Sequence, residues 1–388
     1  MVRGFALFGV LLVNMYGFGA DSIAWDSPID QLAFAVMHVC FESKLWTLFS
    51  VLFGFGFAVQ FERNRSEGFR ILPIALRRLI VLFVFGAVHT LLYDGDILML
   101  YAELGLLLLV VHRLPTRWLF ALAVGLMLVF PFAHLATPDR EVDGLEDIES
   151  VADARALLEE ERHTHVYVIG SLAEVVAYNA SAIPANPLED FNWSDSGLAA
   201  FAMFLLGFSV GRSGVLRDIP GNVALISRVR FWGLGFGIAA MAFEQVLTAT
   251  AGYAVFRTQH AGPGVQLIGD LLFAFGTVAL ALGYAATIVL AAQTSRGRVA
   301  LTPLVAVGRL ALTVYLTQTL CFTTLFYGYG FGRAYRLGPA AVTVCAVVIF
   351  AAQVLACQWW MRRFCFGPAE WVWRSLTYLR WQPLRRER

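Results

Sequence analysis

Charge is what this sequence has least of. Asp, Glu, Lys and Arg make up only 15% of its 388 residues, while 59% are hydrophobic and mean hydropathy is +0.67. A water-soluble chain of this length needs a more highly charged surface, so an ordinary soluble globular protein is excluded. Lysine is nearly absent: Lys44 is the only one among 29 basic residues. Net charge is +1, which gives no overall attraction to nucleic acid. The five cysteines (Cys40, Cys321, Cys345, Cys357, Cys365) have no metal-like spacing and lie mostly in apolar stretches. They read as small hydrophobes rather than a disulfide framework. No G-x-x-x-x-G-K-[ST] or G-x-S-x-G motif occurs, so neither ATP hydrolysis nor a nucleophile elbow is indicated. His163 and His165 in an acidic loop are too few to argue for a metal, and none is expected. The first apolar run lacks a small-residue cleavage site and is expected to remain as a span.

What is present is long apolar runs. VLFVFGAV, LGLLLLVV and ALAVGLMLVF have no polar face, and several runs approach the roughly 20 residues that cross a bilayer. The chain is therefore expected to be an all-α polytopic membrane protein. About ten spans are expected, near 4–20, 45–61, 74–93, 97–112, 118–136, 196–215, 229–250, 265–292, 303–327 and 339–361. The connections then alternate in charge, with 22 basic residues on one side and 7 on the other. The positive-inside rule makes the richer side cytoplasmic. That puts both termini inside, in an inner (cytoplasmic) membrane. One missed span would invert every later connection and destroy the asymmetry.

Four regions follow. Residues 1–136 carry the first five spans, 137–195 an extracytoplasmic loop, 196–361 the remaining spans and 362–388 a cytoplasmic tail. The loop holds 14 acidic and 3 basic residues and is expected to form a helical cap over the outer face. In the tail, Trp371, Trp373, Tyr378 and Trp381 alternate with Arg374, Arg380 and Arg385, which suits a helix lying in the headgroup region. The expected partners are thus a lipid bilayer and a small-molecule or glycan acceptor, with no nucleic acid. A homo-oligomer stays open.

Ionisable groups at membrane depth are costly and need partners or a wet cavity. His89 precedes the turn Asp94-Gly95-Asp96. An imidazole beside carboxylates is the pairing used for general-base chemistry, although the same residues also suit an interhelical bond and a plain turn. Glu103 follows Asp96 by seven residues, which would put both carboxylates on one helix face. His38 lies near Glu42 and Lys44 ahead of the second span, where a surface histidine and a snorkelling lysine are the simplest readings. Arg3 and Asn14 share the first span, one as an anchor or phosphate ligand, the other as helix glue or a ligand. Glu244 and Asp270 are two more acids inside spans. Arg309, Thr313, Tyr315, Gln318 and Thr319 give a polar stripe on one helix, whose arginine end would suit a phosphate.

GRLALTVYLTQTLCFTTLFYGYG followed by FGPAEWVWRSLTY, together with RGFALFGVLLVN, KLWTLFSVLFGFGFAVQ and HTLLYDGDILMLYAELGLL, resembles the YeiB-like family, a bacterial domain of unknown function (DUF418). The resemblance covers most of the chain apart from 137–195. The family is similar, more distantly, to the transmembrane acyltransferases, which share a ten-helix core. In the acyltransferase-3 group an arginine in the first span is followed eleven residues later by a catalytic histidine. Here Arg3 is followed by Asn14, as in the heparan glucosamine acetyltransferase, and an amide is no base. This chain also has Val2 and Val314 where the family favours an acid and an asparagine.

The resemblance implies transfer of an acyl group such as acetyl from acyl-CoA. No cofactor would be bound permanently, and acetyl-CoA or another acyl-CoA would be the co-substrate. The acceptor would be a hydroxyl or amine of an envelope glycan, lipid or secondary metabolite. His89 is the preferred base, with Asp94 or Asp96 orienting it and His38 as the alternative. Arg3, Asn14, Lys44, Glu103, Arg309, Thr313, Tyr315 and Gln318 would contact substrate. The rival reading is a proton-coupled transporter that uses Glu103, Glu244 and Asp270.

Overall fold

A computed structural model describes residues 1–18, 20, 25, 27–66, 71–136, 151–183, 195–251 and 263–386. Within these residues the chain is all helical, and the only β-type pairing is a bridge between Phe364 and Arg385. The helices are α1 (Val2–Tyr16), α2 (Pro28–Cys40), α3 (Lys44–Ser66), α4 (Ile71–Thr90), α5 (Leu98–Val111), α6 (Thr116–Ala136), α7 (Val151–Ile169) and α8 (Leu172–Ala182). Then come α9 (Asp195–Ser213), α10 (Val223–Ala251), α11 (Pro263–Ala291), α12 (Ser295–Leu301), α13 (Pro303–Arg309), α14 (Ala311–Phe326), α15 (Pro339–Met361) and α16 (Pro368–Tyr378).

The breaks between helices follow local chemistry. Pro28, Pro303, Pro339 and Pro368 each sit in the first turn, where the missing N–H costs nothing. Gly214 and Gly332 take the left-handed backbone that ends α9 and turns the chain after α14. Thr294 accepts from Gly297 N at 3.0 Å and caps α12.

The chain is a polytopic membrane protein. Among the described residues, six helical stretches are long and apolar enough to cross a bilayer: Pro28–Glu62, Leu72–Thr90, Thr116–Ala133, Val223–Leu247, Gly264–Ala291 and Pro339–Met361. The pair α13–α14 makes a seventh if it is counted as one bent span. α1, α5 and the Gly197–Ser213 part of α9 are apolar but shorter. The exposed faces agree. Leu72, Leu76, Ile80, Val84 and Val88 recur every four residues along α4, and all are exposed. A patch that large is untenable in water and ordinary against lipid.

Two expectations are corrected here. The predicted span 303–327 is two helices meeting at 90° at Leu310, because apolar sequence continues through a backbone break. Ahead of the predicted second span, α2 adds an apolar helix that extends this run back to Pro28.

α1 lies at the centre. Leu7, Leu11 and Met15 are fully buried, and α1 packs against α3, α13, α14 and α15. A helix enclosed by protein does not need the full length of a lipid-facing one. α3 and α9 approach through Gly54 and Gly207, where a Cβ on either would overlap the other helix's backbone. α7 and α8 form a hairpin seated on the α4–α5 turn, and Gly328 N donates to Tyr167 O at 2.9 Å. Residues 137–150 and 184–194 of the acidic connection lie outside the described residues, as do 252–262.

Candidate functional site

The α4–α5 turn puts His89 and Asp96 together. His89 ends α4, and Asp96 sits just ahead of α5, where its Oδ2 accepts from Met99 N at 2.9 Å. That N-terminal placement favours a carboxylate, because free backbone N–H groups and the helix dipole stabilise negative charge. Gly86 lets α4 close on this turn, since a Cβ there would press on Met99 and on the Asp96 carboxylate. The other Asp96 oxygen, Oδ1, lies 2.7 Å from His89 Nδ1. Both side chains are almost completely buried, at 3% and 1% exposed.

A third group completes the arrangement. His89 Nε2 lies 2.7 Å from Thr319 Oγ1 on α14. A carboxylate only accepts, so Nδ1–H donates to Asp96, and in the neutral imidazole Nε2 accepts from the Thr319 hydroxyl. This is the hydroxyl–imidazole–carboxylate order in which a base takes a proton from an oxygen while a carboxylate fixes its tautomer. The Tyr315 ring packs 4.9 Å from the imidazole, and Tyr315 Oη accepts from Ile97 N at 3.4 Å.

Asp94 serves elsewhere. Its Oδ2 accepts from His163 Nε2 at 2.8 Å, which ties α7 to the turn. Glu103 is a correction. Asp96 precedes the first turn of α5, so the two carboxylates do not share a helix face. Glu103 is half-buried and takes no part in the His89 bonds.

His38 forms a separate cluster. Its Nδ1 pairs with Glu42, and its Nε2 lies 3.4 Å from Glu244 Oε2 on α10. Lys44 is fully buried rather than snorkelling, a second correction, and its Nζ donates to His38 O at 2.7 Å. One histidine and one lysine thus meet two carboxylates, which balances a buried charge set. Asp270 is also buried on α11.

The remaining candidates disperse. Thr313 and Arg309 are separated by the 90° break, so the single polar stripe does not exist as one helix face. Thr313 Oγ1 donates to Glu370 Oε2 at 2.6 Å, and Glu370 Oε1 accepts from Leu312 N at 2.6 Å and Thr313 N at 3.1 Å. Glu370 of α16 therefore caps α14. Burial pushes its carboxyl above the usual range, and these donors partly offset the shift. Arg3 stands within electrostatic range of Glu370, and Arg309 Nη2 donates to Cys365 O at 3.4 Å. Nearby, the Arg78 guanidinium lies 4.4 Å over Trp373. Gln318 Nε2 donates to Leu7 O at 3.2 Å. Asn14 is half-buried on α1.

Sequence reasoning missed Glu370 and the pairing of Thr319 with His89. Gly367-Pro368-x-Glu370 is a recognisable helix start, but it does not reveal that the acid caps a different helix. Two surface cavities of about 700 and 550 Å³ lie at Phe231–Trp232–Leu282 and at Glu160–His165–Tyr335, and neither is lined by His89. No group of three or more His, Cys, Asp and Glu among the described residues could hold a metal ion.

Comparison with known proteins adds relatives. The family described as "Protein of unknown function (DUF418)" matches residues 210–380. The chain is 32% identical to the uncharacterized protein YxaH of Bacillus subtilis (strain 168), over all of this chain and 95% of that protein. It is 31% identical to the uncharacterized protein YeiB of Escherichia coli (strain K12), over 97% of this chain and 94% of that one. An uncharacterized 39.9 kDa protein in the amylase 3' region of Bacillus acidopullulyticus is 25% identical over 99% and 94%. No solved structure matches.

Proposed function

The chain belongs to the YeiB-like DUF418 family, and from that premise we propose that it is a membrane-embedded acyltransferase that uses acyl-CoA and has His89 as its base. The observation that carries this reading is the buried Thr319–His89–Asp96 line, with 2.7 Å at each link. Asp96 holds the proton on Nδ1 and leaves Nε2 as the acceptor. The acceptor's proton passes to His89 through Thr319 Oγ1, a hydroxyl able to donate and accept at once. The acceptor oxygen or nitrogen then bonds to the acyl carbon, the C–S bond breaks and the thiolate takes up a proton. Burial of the imidazole and the carboxylate strengthens these interactions.

The face bearing Arg3, Arg78, Arg309 and Arg374 carries most of the arginines, and the positive-inside rule assigns it to the cytoplasm of an inner membrane, with both termini on that side. Those arginines suit the phosphates of CoA. The acceptor, a hydroxyl or amine of a glycan, lipid or metabolite, would approach Thr319 from the acidic face.

The test is purified protein in bilayers supplied with labelled acetyl-CoA and panels of amine and hydroxyl acceptors. Time-dependent label transfer supports the reading, and absence of both CoA binding and transfer refutes it. A proton-coupled transporter is the second reading, favoured by the buried His38–Glu42–Lys44–Glu244 set. Solute uptake driven by a pH gradient, without CoA binding, would select it.

A further inference from the structure

Every fourth residue along α14 from the His89 site carries a hydroxyl: Tyr315, Thr319, Thr323 and then Tyr327 just past its end. All four are buried, at 3%, 1%, 0% and 0% exposed. Tyr315 and Thr319 are bonded at the His89 site. Thr323 Oγ1 and Tyr327 Oη are buried and meet no hydrogen-bond partner among the described residues.

Helix geometry does not force this. On the same helix Thr317 donates to Thr313 O at 2.9 Å and Thr324 to Leu320 O at 2.6 Å, the usual way a helical threonine satisfies itself. Thr323 forgoes that bond. An unmade buried hydrogen bond costs about 1–3 kcal/mol, so two in a row need an explanation. Four residues of helix rise advance the chain by about 6 Å, a step on the scale of one or two bridging waters.

The ladder also has an outlet. The Tyr327 ring packs 4.7 Å from that of Tyr167 on α7. Tyr167 Oη donates to Asn179, and burial together with the charge of Asp94 raises its phenol well above the ordinary value. Asp94 and its partner His163 are 38% and 43% exposed, so the line ends at open solvent.

We infer that Thr323 and Tyr327 hold a file of waters that connects Thr319 and His89 to the Asp94–His163 face and carries protons between them. The inference rests on the reading of His89 as the base. It matters most for an amine acceptor. There R–NH3⁺ and acyl–S–CoA give the amide, CoA–SH and one proton, and that proton must leave. With a hydroxyl acceptor the proton ends on the thiol and none is released.

The experiment is X-ray footprinting of the full chain in lipid nanodiscs, in ¹⁸O-labelled water and without donor or acceptor. Tyr327 should be oxidised despite its burial, while Phe322 and Phe326, equally buried but apolar, stay unlabelled. Thr323→Val keeps the side chain's shape and should abolish that labelling. In protein carrying ¹⁵N-histidine, the His89 ring signal, identified by its loss in His89→Gln, should receive magnetisation from water in the wild type and lose it in Thr323→Val. Tyr327 as unreactive as Phe326, or either readout unchanged in Thr323→Val, overturns the inference. Both are read without acyl transfer, so they fail separately from the proposed activity.

Discussion

His89 and His38 are both largely buried, and both use both ring nitrogens, but their surroundings give them different capabilities. His89 stands between one carboxylate and one hydroxyl, so a single nitrogen stays free to exchange a proton with oxygen. His38 stands between two carboxylates, each of which only accepts, so both of its nitrogens are committed as donors. A histidine held that way balances charge and has no lone pair to offer. The difference teaches that proximity to acids does not identify a base; the group on the second nitrogen does.

The largest expected effect is at Asp96. Asp96→Asn places an amide donor against Nδ1, moves the proton to Nε2 and removes the acceptor. Acyl transfer measured with labelled acetyl-CoA should fall by about 10²–10⁴-fold. Glu42→Gln, the matching change beside His38, should leave transfer within a few-fold of wild type. Next is Lys44→Met. It removes one of the two cations that offset Glu42 and Glu244 and should lower stability by about 3–5 kcal/mol in thermal or denaturant unfolding. Adding Glu244→Gln should recover part of that loss, whereas no comparable rescue is expected around His89. Smaller still is Glu370→Ala, which uncaps α14 and should cost about 1 kcal/mol, with faster hydrogen exchange at Leu312 and Thr313.

The smallest effect is at Glu174, whose carboxylate accepts from Ser171 in a capping box and is thereby held below the ordinary range. A carboxyl lowered in the folded state adds stability above its unfolded pKa and loses it as pH falls through the folded one. Fraying of α8, followed by hydrogen exchange corrected for intrinsic rate, should therefore increase below about pH 4. Glu174→Gln should flatten that dependence.

How much could be read from sequence depended on distance along the chain. His89 and Asp96 lie seven residues apart in one hairpin, and His38 and Glu42 one helical turn apart, so both pairs were visible locally. Thr319 is 230 residues from His89, and Glu244 is 206 from His38. Those contacts are made by packing of separate helices, which a single sequence does not encode in readable form. The membrane class was legible because apolar runs have a required length. The break at Leu310 was not, because hydropathy continues unchanged while the backbone turns and Glu370, two helices further along the chain, supplies the cap. Asp94 and Asp96 were interchangeable in sequence, and only the position of α5's first turn and of His163 separates their roles.

The most direct test sets the two histidines side by side. Wild type, His89→Ala and His38→Ala would be reconstituted in the same bilayer, and release of CoA from labelled acetyl-CoA measured with an acceptor present. The account predicts that His89→Ala loses transfer while His38→Ala, once corrected for folded protein, keeps it. Transfer that survives in His89→Ala, or is lost only in His38→Ala, would contradict it.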